Sequence, residues 1–193
     1  MLDNDEIKRL LREIALENSQ LAYKQLFMRM HDRLRQFAYS ILKSHEEAEE
    51  LVSDIFVRLW LRREKLMEIE TPRLYFYTTV KNLAITRLNR QKRDVSLTGE
   101  DWLVRMDSVF FDPEKLMMTE ELIRQVKQVV DELPPRCRLI FKLVKEDGLK
   151  YKEVAQLLHL SIKTIEAQMT IALKRIGNTM QMGMGNKAPL KKK

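Results

Sequence analysis

Basic and aromatic side chains alternate between Arg73 and Arg93, a mixture that could bind nucleic acid. Lys and Arg neutralise phosphates, and aromatic rings can stack on unpaired bases, which contributes ~1–3 kcal/mol per base. The basic residues are Arg73, Lys81, Arg87, Arg90, Lys92 and Arg93, and the aromatic residues are Tyr75, Phe76 and Tyr77. The sequence alone leaves a second interpretation open, in which a solvated basic face covers a buried aromatic core.

The stretch GLKYKEVAQLLHLSIKTIEAQMTIALKRI, residues 148–176, has the pattern of two helices joined by a tight corner. Ser161 is placed to cap the second helix. Residues Ile165, Met169, Ala172 and Ile176 follow at helical spacing and predict a buried stripe. The predicted outer face comprises Lys163, Thr164, Glu166, Ala167, Thr170, Ile171 and Lys174, with Gln168 at its boundary. This pattern fits a helix that enters the major groove, although an ordinary helical hairpin has the same periodicity.

The outer face of the second helix has no arginine before Arg175. Gln, Thr, Lys and apolar side chains can still contact base edges and thymine methyl groups. Because phosphate neutralisation supplies most of the affinity for DNA, such a helix would hold DNA weakly by itself. We therefore expect another part of a larger assembly to provide the affinity.

An acidic segment, SHEEAEELVSD, begins at Ser44, which together with Glu47 forms a capping box. Its acidic residues are Glu46, Glu47, Glu49, Glu50 and Asp54, which could simply complement the dipole of a helix start. A metalloprotease motif is excluded, because Glu49 stands where the second histidine is required. His31, His45 and His159 lie far apart, and no catalytic set, metal site or cofactor loop is predicted.

The elements that must position these residues are helices. Helix-forming residues dominate the 193-residue chain, while Gly and Pro number only five each. The sequence predicts an all-α fold with two small helical domains, the C-terminal one a helix-turn-helix. We expect domains over 5–93 and 113–180, an acidic flexible linker over 94–112, and a disordered basic tail over 181–193.

Composition limits the class of protein further. The formal net charge is +7, which favours an anionic partner. The single cysteine excludes an internal disulfide, and the charged N-terminus lacks the apolar core of a signal peptide. No apolar run is long enough to span a membrane, so a cytoplasmic location is the expectation.

Three segments in this order resemble the ECF (extracytoplasmic function) family of bacterial RNA polymerase sigma factors. The first is HEEAEELVSDIFVRLW, with Glu47-Ala48-Glu49-Glu50-Leu51, Asp54, Phe56 and Trp60 at the positions of the family pattern. The second is Tyr75-Phe76-Tyr77-Thr78-Thr79-Val80-Lys81-Asn82. The third is Ser161, Thr164 and Ile165, followed by Ala172 and Leu173. The resemblance covers about residues 25–180, and its third segment is most similar to a Bacteroidetes-type branch.

The resemblance implies three sets of site residues. Polymerase binding would involve Glu46, Glu47, Glu49, Glu50, Leu51, Asp54, Ile55 and Phe56. Contact with the −10 promoter element would involve Arg73, Tyr75, Phe76, Lys81, Asn82 and Arg87. Contact with the −35 element would involve Ser161, Lys163, Thr164, Glu166, Ala167, Gln168, Thr170, Ile171 and Lys174. Many family members have Arg or Lys at the positions of Glu166, Gln168 and Ile171, so base preferences do not transfer to this chain.

The implied partners are core RNA polymerase, promoter DNA and an anti-sigma factor, which in this family is often membrane-bound. No small-molecule substrate and no enzymatic activity are expected. Two alternatives remain at this point. A stand-alone helix-turn-helix regulator would need a receiver or ligand domain, for which residues 5–93 lack the alternating strand–helix pattern. The net charge of +7 and the basic, aromatic stretch over 73–93 argue against the second alternative, a helical adaptor without a nucleic-acid role.

Overall fold

The computed structural model of the chain describes residues 4–91 and 120–185. Within these ranges the regular structure is entirely helical, as predicted. The helices are α1 (Asn4–Glu17), α2 (Gln20–Leu42), α3 (His45–Leu61), α4 (Pro72–Gln91), α5 (Glu120–Asp131), α6 (Pro135–Lys145), α7 (Tyr151–Leu158) and α8 (Ile162–Gly185), with a short 3₁₀ helix at Arg63–Glu68. No helix in the described ranges combines the length and apolar character that a membrane span requires.

Helices α1–α4 and the 3₁₀ helix pack together and are called the N-terminal unit below. Helix α1 is followed by Asn18, which adopts a left-handed conformation at φ 53°. The Ser19 side chain then accepts a hydrogen bond from the Ala22 backbone N–H at 3.2 Å and caps α2. Ser44 caps α3 in the same way, through the Glu47 backbone N–H at 3.2 Å. These caps fix where α2 and α3 begin.

The segment Thr71-Pro72-Arg73 has the form of a helix start, with Thr71 as cap and Pro72 in the first turn, and α4 does begin at Pro72, but with a different cap. The Asn4 side chain accepts a hydrogen bond from the Arg73 backbone N–H at 3.3 Å. The predicted cap, Thr71, makes no side-chain hydrogen bond to any residue in the described ranges. A residue 69 positions away in the sequence therefore satisfies the start of α4, which local sequence signals could not indicate.

Helices α5–α8 form the C-terminal unit, in which α5, α6 and α7 each pack against α8. His159 adopts a left-handed conformation at φ 56° and turns the chain between α7 and α8. The predicted buried stripe of α8 is confirmed, since Ile165, Met169 and Ala172 are at most 1% exposed. Helix α8 continues to Gly185, past residue 180, where the C-terminal domain was predicted to end. The predicted linker over 94–112, and residues 186–193 of the predicted tail, lie outside the described residues.

Candidate polymerase and DNA interfaces

The outer surface of α8, called the recognition face, has the geometry that the sequence predicts. Its exposed members are Ser161, Lys163, Glu166, Ala167, Thr170, Ile171 and Lys174, and its half-buried members are Thr164 and Gln168. Ser161 Oγ accepts from the Thr164 backbone N–H at 3.0 Å and lies 2.8 Å from Thr164 Oγ1. These two hydroxyls therefore position the first turn of α8 as well as facing outward. With two lysines and one glutamate, the face carries little net charge.

Helix α4 presents three different faces because its residues recur at spacings of three and four. One face, at Phe76, Val80 and Ala84, lies in the core. A second face, at Tyr75, Thr78, Thr79 and Asn82, lines a cleft of about 920 Å³. A third face, at Arg73, Tyr77 and Lys81, meets the C-terminal unit.

The cleft beside α4, called the α4 cleft, is bounded by the end of α3, by the 3₁₀ helix and by Gln156 of α7. Its volume lies in the range of pockets that hold small organic ligands. Tyr75 is 45% exposed at its edge, and Asn82 is also exposed. Basic side chains from the neighbouring elements, Arg58, Arg62 and Lys65, line the same cleft. An exposed ring, an amide and nearby cations suit a nucleotide whose base is unpaired.

Phe76 does not belong to this cleft, and its predicted contact with DNA is wrong for this conformation. Its side chain is 0% exposed, and its ring stacks on that of Phe56 at 6.1 Å between centroids. Tyr75 and Phe76 are adjacent on a helix, so their side chains point about 100° apart. Only one of the two can face the cleft, and the structure identifies Tyr75 as that residue.

Arg73 and Lys81, both predicted to contact DNA, are buried at 8% and 5% exposure. Arg73 NH1 donates to the Gly148 carbonyl oxygen at 2.6 Å. Lys81 Nζ donates to the Leu157 carbonyl oxygen at 3.0 Å and lies 3.0 Å from His159 Nε2. Burial lowers the pKa of Lys81 below its ordinary value. In this conformation neither cation can reach a phosphate, because both side chains are buried and donate hydrogen bonds to the C-terminal unit.

Arg87 was also predicted to contact DNA, but it bridges two carboxylates of α3. Its guanidinium lies 3.0 Å from Glu50 Oε2 and 3.4 Å from Asp54 Oδ2. Its side chain is 26% exposed. The structure therefore links Arg87 to the acidic surface of α3 rather than to the α4 cleft.

The acidic residues of α3 all reach the surface. Glu46, Glu49 and Glu50 are exposed, and Glu47 and Asp54 are half-buried. Glu49 lies 3.1 Å from His31 Nε2 and 3.6 Å from Arg35 Nε. The predicted apolar polymerase contacts are contradicted, since Leu51, Ile55 and Phe56 are at most 4% exposed and form the core.

Sequence reasoning missed the apolar side chains that α3 does expose. Val57 is 54% exposed and Leu61 is 70% exposed, and together with Trp60 and Tyr23 they line a shallow groove of about 370 Å³. Glu50, Asp54, Val57 and Leu61 recur at spacings of four, three and four, so they share one side of the helix. This spacing could have predicted the exposed face from the sequence, because it places these positions on a different side of α3 from the buried residues Leu51, Ile55 and Leu59. The surface formed by Glu46, Glu49, Glu50, Asp54, Val57 and Leu61 is called the α3 face below.

Comparison with known proteins matches both units. Sigma-70 region 2 matches residues 26–94, and Sigma-70, region 4 matches residues 123–176. The chain is 22% identical over 170 residues to ECF RNA polymerase sigma factor SigW of Bacillus subtilis (strain 168), covering 84% of this chain and 90% of that protein. It is 24% identical over 160 residues to the ferric citrate uptake sigma factor FecI of Escherichia coli (strain K12), covering 83% of this chain and 91% of that protein.

Among solved structures, the sigma factor RpoE in complex with the anti-sigma factor NepR from Bartonella quintana aligns with a TM-score of 0.48 and 21% identity. That alignment covers 82% of this chain and 96% of the other. The region 2 match includes the α3 face and every lining residue of the α4 cleft except Gln156, and the region 4 match includes Gln156 and the recognition face. The Bacteroidetes-type branch stays a prediction. The chain belongs to the ECF group of the sigma-70 family, whose members direct promoter-specific initiation by RNA polymerase.

Proposed function

We propose that this protein binds core RNA polymerase through the α3 face, contacts the −10 element in the α4 cleft and contacts the −35 element with the recognition face. The observation that supports this assignment most directly is the α4 cleft. It places an exposed tyrosine, an exposed asparagine and several cations together, inside the region 2 match. We keep the proposed unit boundaries of 5–93 and 113–180, with a linker over 94–112.

The α3 face suits a protein partner better than it suits DNA. Its carboxylates would repel phosphates, whereas its exposed Val57 and Leu61 offer apolar surface to a protein. Acidic residues beside apolar ones favour a partner with a basic, partly apolar surface. We assign this role to the core polymerase, with Leu51, Ile55 and Phe56 supporting the face from beneath.

The α4 cleft suits one unpaired base better than duplex DNA. Tyr75 offers a ring for stacking, and Asn82 offers an amide that can pair with a base edge. Thr78 and Thr79 line the same wall, although Thr79 Oγ1 already donates to the Tyr75 carbonyl oxygen at 2.8 Å. We assign recognition of an extruded −10 base to this cleft, with residues 66–74, from the end of the 3₁₀ helix to the start of α4, as its outer wall.

The recognition face requires help from the rest of the complex. Lys163 and Lys174 are exposed on it, but Glu166 offsets part of their charge. Contact with the −35 element therefore becomes effective when the same chain is held on DNA by polymerase, since the second contact is then intramolecular. Gln168 and Lys163 are the side chains best suited to base contacts.

We further propose that the protein acts in the cytoplasm and that an anti-sigma factor, often membrane-bound in this family, holds it inactive. Polymerase supplies the catalysis, and this chain supplies recognition and strand opening. An anti-sigma factor that covered both the α3 face and the recognition face would block polymerase and promoter together. Limited proteolysis of such a complex tests this, because both surfaces should become protected.

Co-purification with core polymerase is the first test of the function, followed by transcription in vitro from fragmented genomic DNA. We expect a stable complex and a defined set of transcript start sites that depends on this chain. Asn82→Ala should retain polymerase binding and reduce transcription from duplex templates. A chain that bound DNA specifically but never associated with core polymerase would instead be a stand-alone regulator.

A further inference from the structure

We propose that α1 positions one wall of the α4 cleft and so determines how sharply the cleft discriminates among −10 bases, with Asn18 and Arg63 as positioning residues. The wall segment is defined as residues 63–74, which comprise the 3₁₀ helix and the chain from its end to the start of α4. Helix α1 precedes the region 2 match, which begins at residue 26. The inference rests on the proposed function, because it assumes that the cleft receives a −10 base.

The wall segment presents charges of both signs to the cleft. The side chains of Lys65, Glu68 and Glu70 line it and are exposed. None of these three side chains forms an ion pair or a hydrogen bond within the described part of the chain. An ammonium group only donates and a carboxylate only accepts, so their positions decide which base edges can pair with them. Because hydrogen bonds need donor–acceptor distances of about 2.7–3.2 Å, a small shift of the wall segment would change that selection.

The wall segment has few means of holding its own shape. Its 3₁₀ helix extends over six residues, Arg63–Glu68, whereas 3₁₀ runs longer than about three or four residues are uncommon because their hydrogen-bond geometry is poor. No side chain caps the start of this helix, and Leu66 is its one buried residue. The conformation of the wall segment therefore depends on packing against another element.

Helix α1 provides that packing and is joined to the wall segment at both ends. Its buried face packs against the 3₁₀ helix, α2 and α4. That face consists of Ile7, Leu10, Leu11 and Ile14. At the end of α1, Arg63 Nε donates to Asn18 Oδ1. At its start, Asn4 Oδ1 accepts from the Arg73 backbone N–H at 3.3 Å. The wall segment thus runs antiparallel to α1, with one hydrogen bond near each end.

Arg63 connects this support to the end of α3. Its NH1 group donates to the Trp60 carbonyl oxygen at 3.1 Å, and its guanidinium carbon lies 5.2 Å from the centroid of the Trp60 ring. Arg63 does not line the α4 cleft, but its neighbours Arg62 and Lys65 do. Arg63 can therefore influence a bound base only through the placement of those neighbours, which is the property of a positioning residue.

Asn18 allows this hydrogen bond to be removed without changing the backbone. It adopts a left-handed conformation at φ 53°, which glycine adopts without strain and which aspartate also tolerates. Asn18→Gly removes the amide, whereas Asn18→Asp keeps an oxygen that accepts from Arg63. Asn18 is exposed and lies outside the α3 face, the α4 cleft and the recognition face.

Glu17→Gly is the matched control for Asn18→Gly. It introduces a glycine at the adjacent position, which is also exposed. The Glu17 side chain forms no ion pair or hydrogen bond within residues 4–91 and 120–185, so its loss should leave the wall segment in place. Comparison of the two variants separates the loss of the Arg63 contact from a general loosening of the turn after α1.

The experiment measures transcription by holoenzyme, assembled from the full-length chain and core polymerase, on duplex templates with a randomised −10 element. The template is one promoter from the genomic transcription test, and discrimination is the ratio of transcript from the best and the worst base at the most selective position. We expect Asn18→Gly to lower this ratio about 2- to 10-fold, the range that a single hydrogen bond contributes. Asn18→Asp and Glu17→Gly should keep the wild-type ratio.

Two further measurements test the route through Arg63. Asn18→Gly combined with Arg63→Ala should lose no more discrimination than Arg63→Ala alone, because the two residues act through one contact. Amide hydrogen exchange of the free chain should become faster over residues 63–71 in Asn18→Gly and should stay at the wild-type rate in Asn18→Asp.

Wild-type discrimination in Asn18→Gly would overturn the proposal, whatever the exchange rates. Equal losses in Asn18→Gly and in either Asn18→Asp or Glu17→Gly would also overturn it, since the contact with Arg63 would then not be the cause. Asn82→Ala is measured on the same templates to separate the two levels of the argument. If Asn82→Ala loses discrimination while Asn18→Gly keeps it, the role of α1 fails and the proposed function stands. If both variants keep it, the assignment of the α4 cleft fails as well.

Discussion

Glu46→Lys separates docking on polymerase from folding of the N-terminal unit. Glu46 is exposed in the first turn of α3 and forms no ion pair with any residue in the described ranges. Reversing its charge should cost only about 0.3–1 kcal/mol of stability, through the helix dipole. Reversal of Glu49, Glu50 and Asp54 together would remove three ion pairs, one with Arg35 and two with Arg87, as well as the contact between Glu49 and His31. At about 0.2–1 kcal/mol each, the three ion pairs amount to about 0.6–3 kcal/mol of stability.

If Glu46 faces a basic partner, its reversal should remove one attraction and add one repulsion, about 1–2 kcal/mol in total. We expect core polymerase affinity to fall about 5- to 30-fold, measured by competition against wild type. Asp5→Lys is the matched control, because Asp5 is also exposed in the first turn of a helix but lies on α1. Equal losses in the two variants would refute the assignment, and so would wild-type affinity in Glu46→Lys and in the triple reversal.

Four other predictions use different readouts. Asn82→Ala should impair permanganate-detected strand opening on duplex promoters and spare −35 binding. Lys163→Ala or Gln168→Ala should reduce discrimination at the −35 element by ~1–3 kcal/mol but should not impair strand opening on a pre-melted template. Equal defects on duplex and pre-melted templates would contradict the separate roles proposed for the recognition face and the α4 cleft. Leu61→Ser should weaken polymerase binding without lowering thermal stability, because the side chain is 70% exposed. Burial, followed by the nearby Asp147 carboxylate, raises the pKa of Tyr77 well above 10.0 in the folded chain. The contribution of neutral Tyr77 to the free energy of unfolding is therefore fully present below pH 10 and is progressively lost above it. The difference in unfolding free energy between wild type and Tyr77→Phe, from urea titrations, should therefore change above about pH 10 and stay constant below it.

Local signals in the sequence were enough to place most helix boundaries. Ser44 and Ser161 cap the helices that they were expected to cap, because a cap depends on residues only three positions apart. The buried stripe of α8 was also predictable, since the spacing of Ile165 and Met169 defines one side of a helix. The recognition face follows from that stripe as its complement.

The surroundings of α4 could not be predicted in the same way. Periodicity groups Arg73 with Lys81 but does not indicate which part of the chain covers that group. Their partners Gly148 and Leu157 are 75 and 76 residues further along the sequence. The same limit explains Phe76, whose burial depends on how α3 packs against α4. The burial and the partners of Arg73, Lys81 and Phe76 thus depend on contacts between segments that are distant in the sequence.

The three faces of α4 make the length of this helix as constrained as its composition. Inserting one residue near Thr78 would rotate everything after it by about 100° relative to the start of the helix. Asn82 would then leave the cleft and Lys81 would leave the C-terminal unit, although every side chain would still be present. Substitutions on α4 alter one surface at a time, whereas a single-residue insertion or deletion would disrupt the core, the cleft and the inter-unit contact together. Sequence variation along this helix should therefore consist of replacements without changes in length.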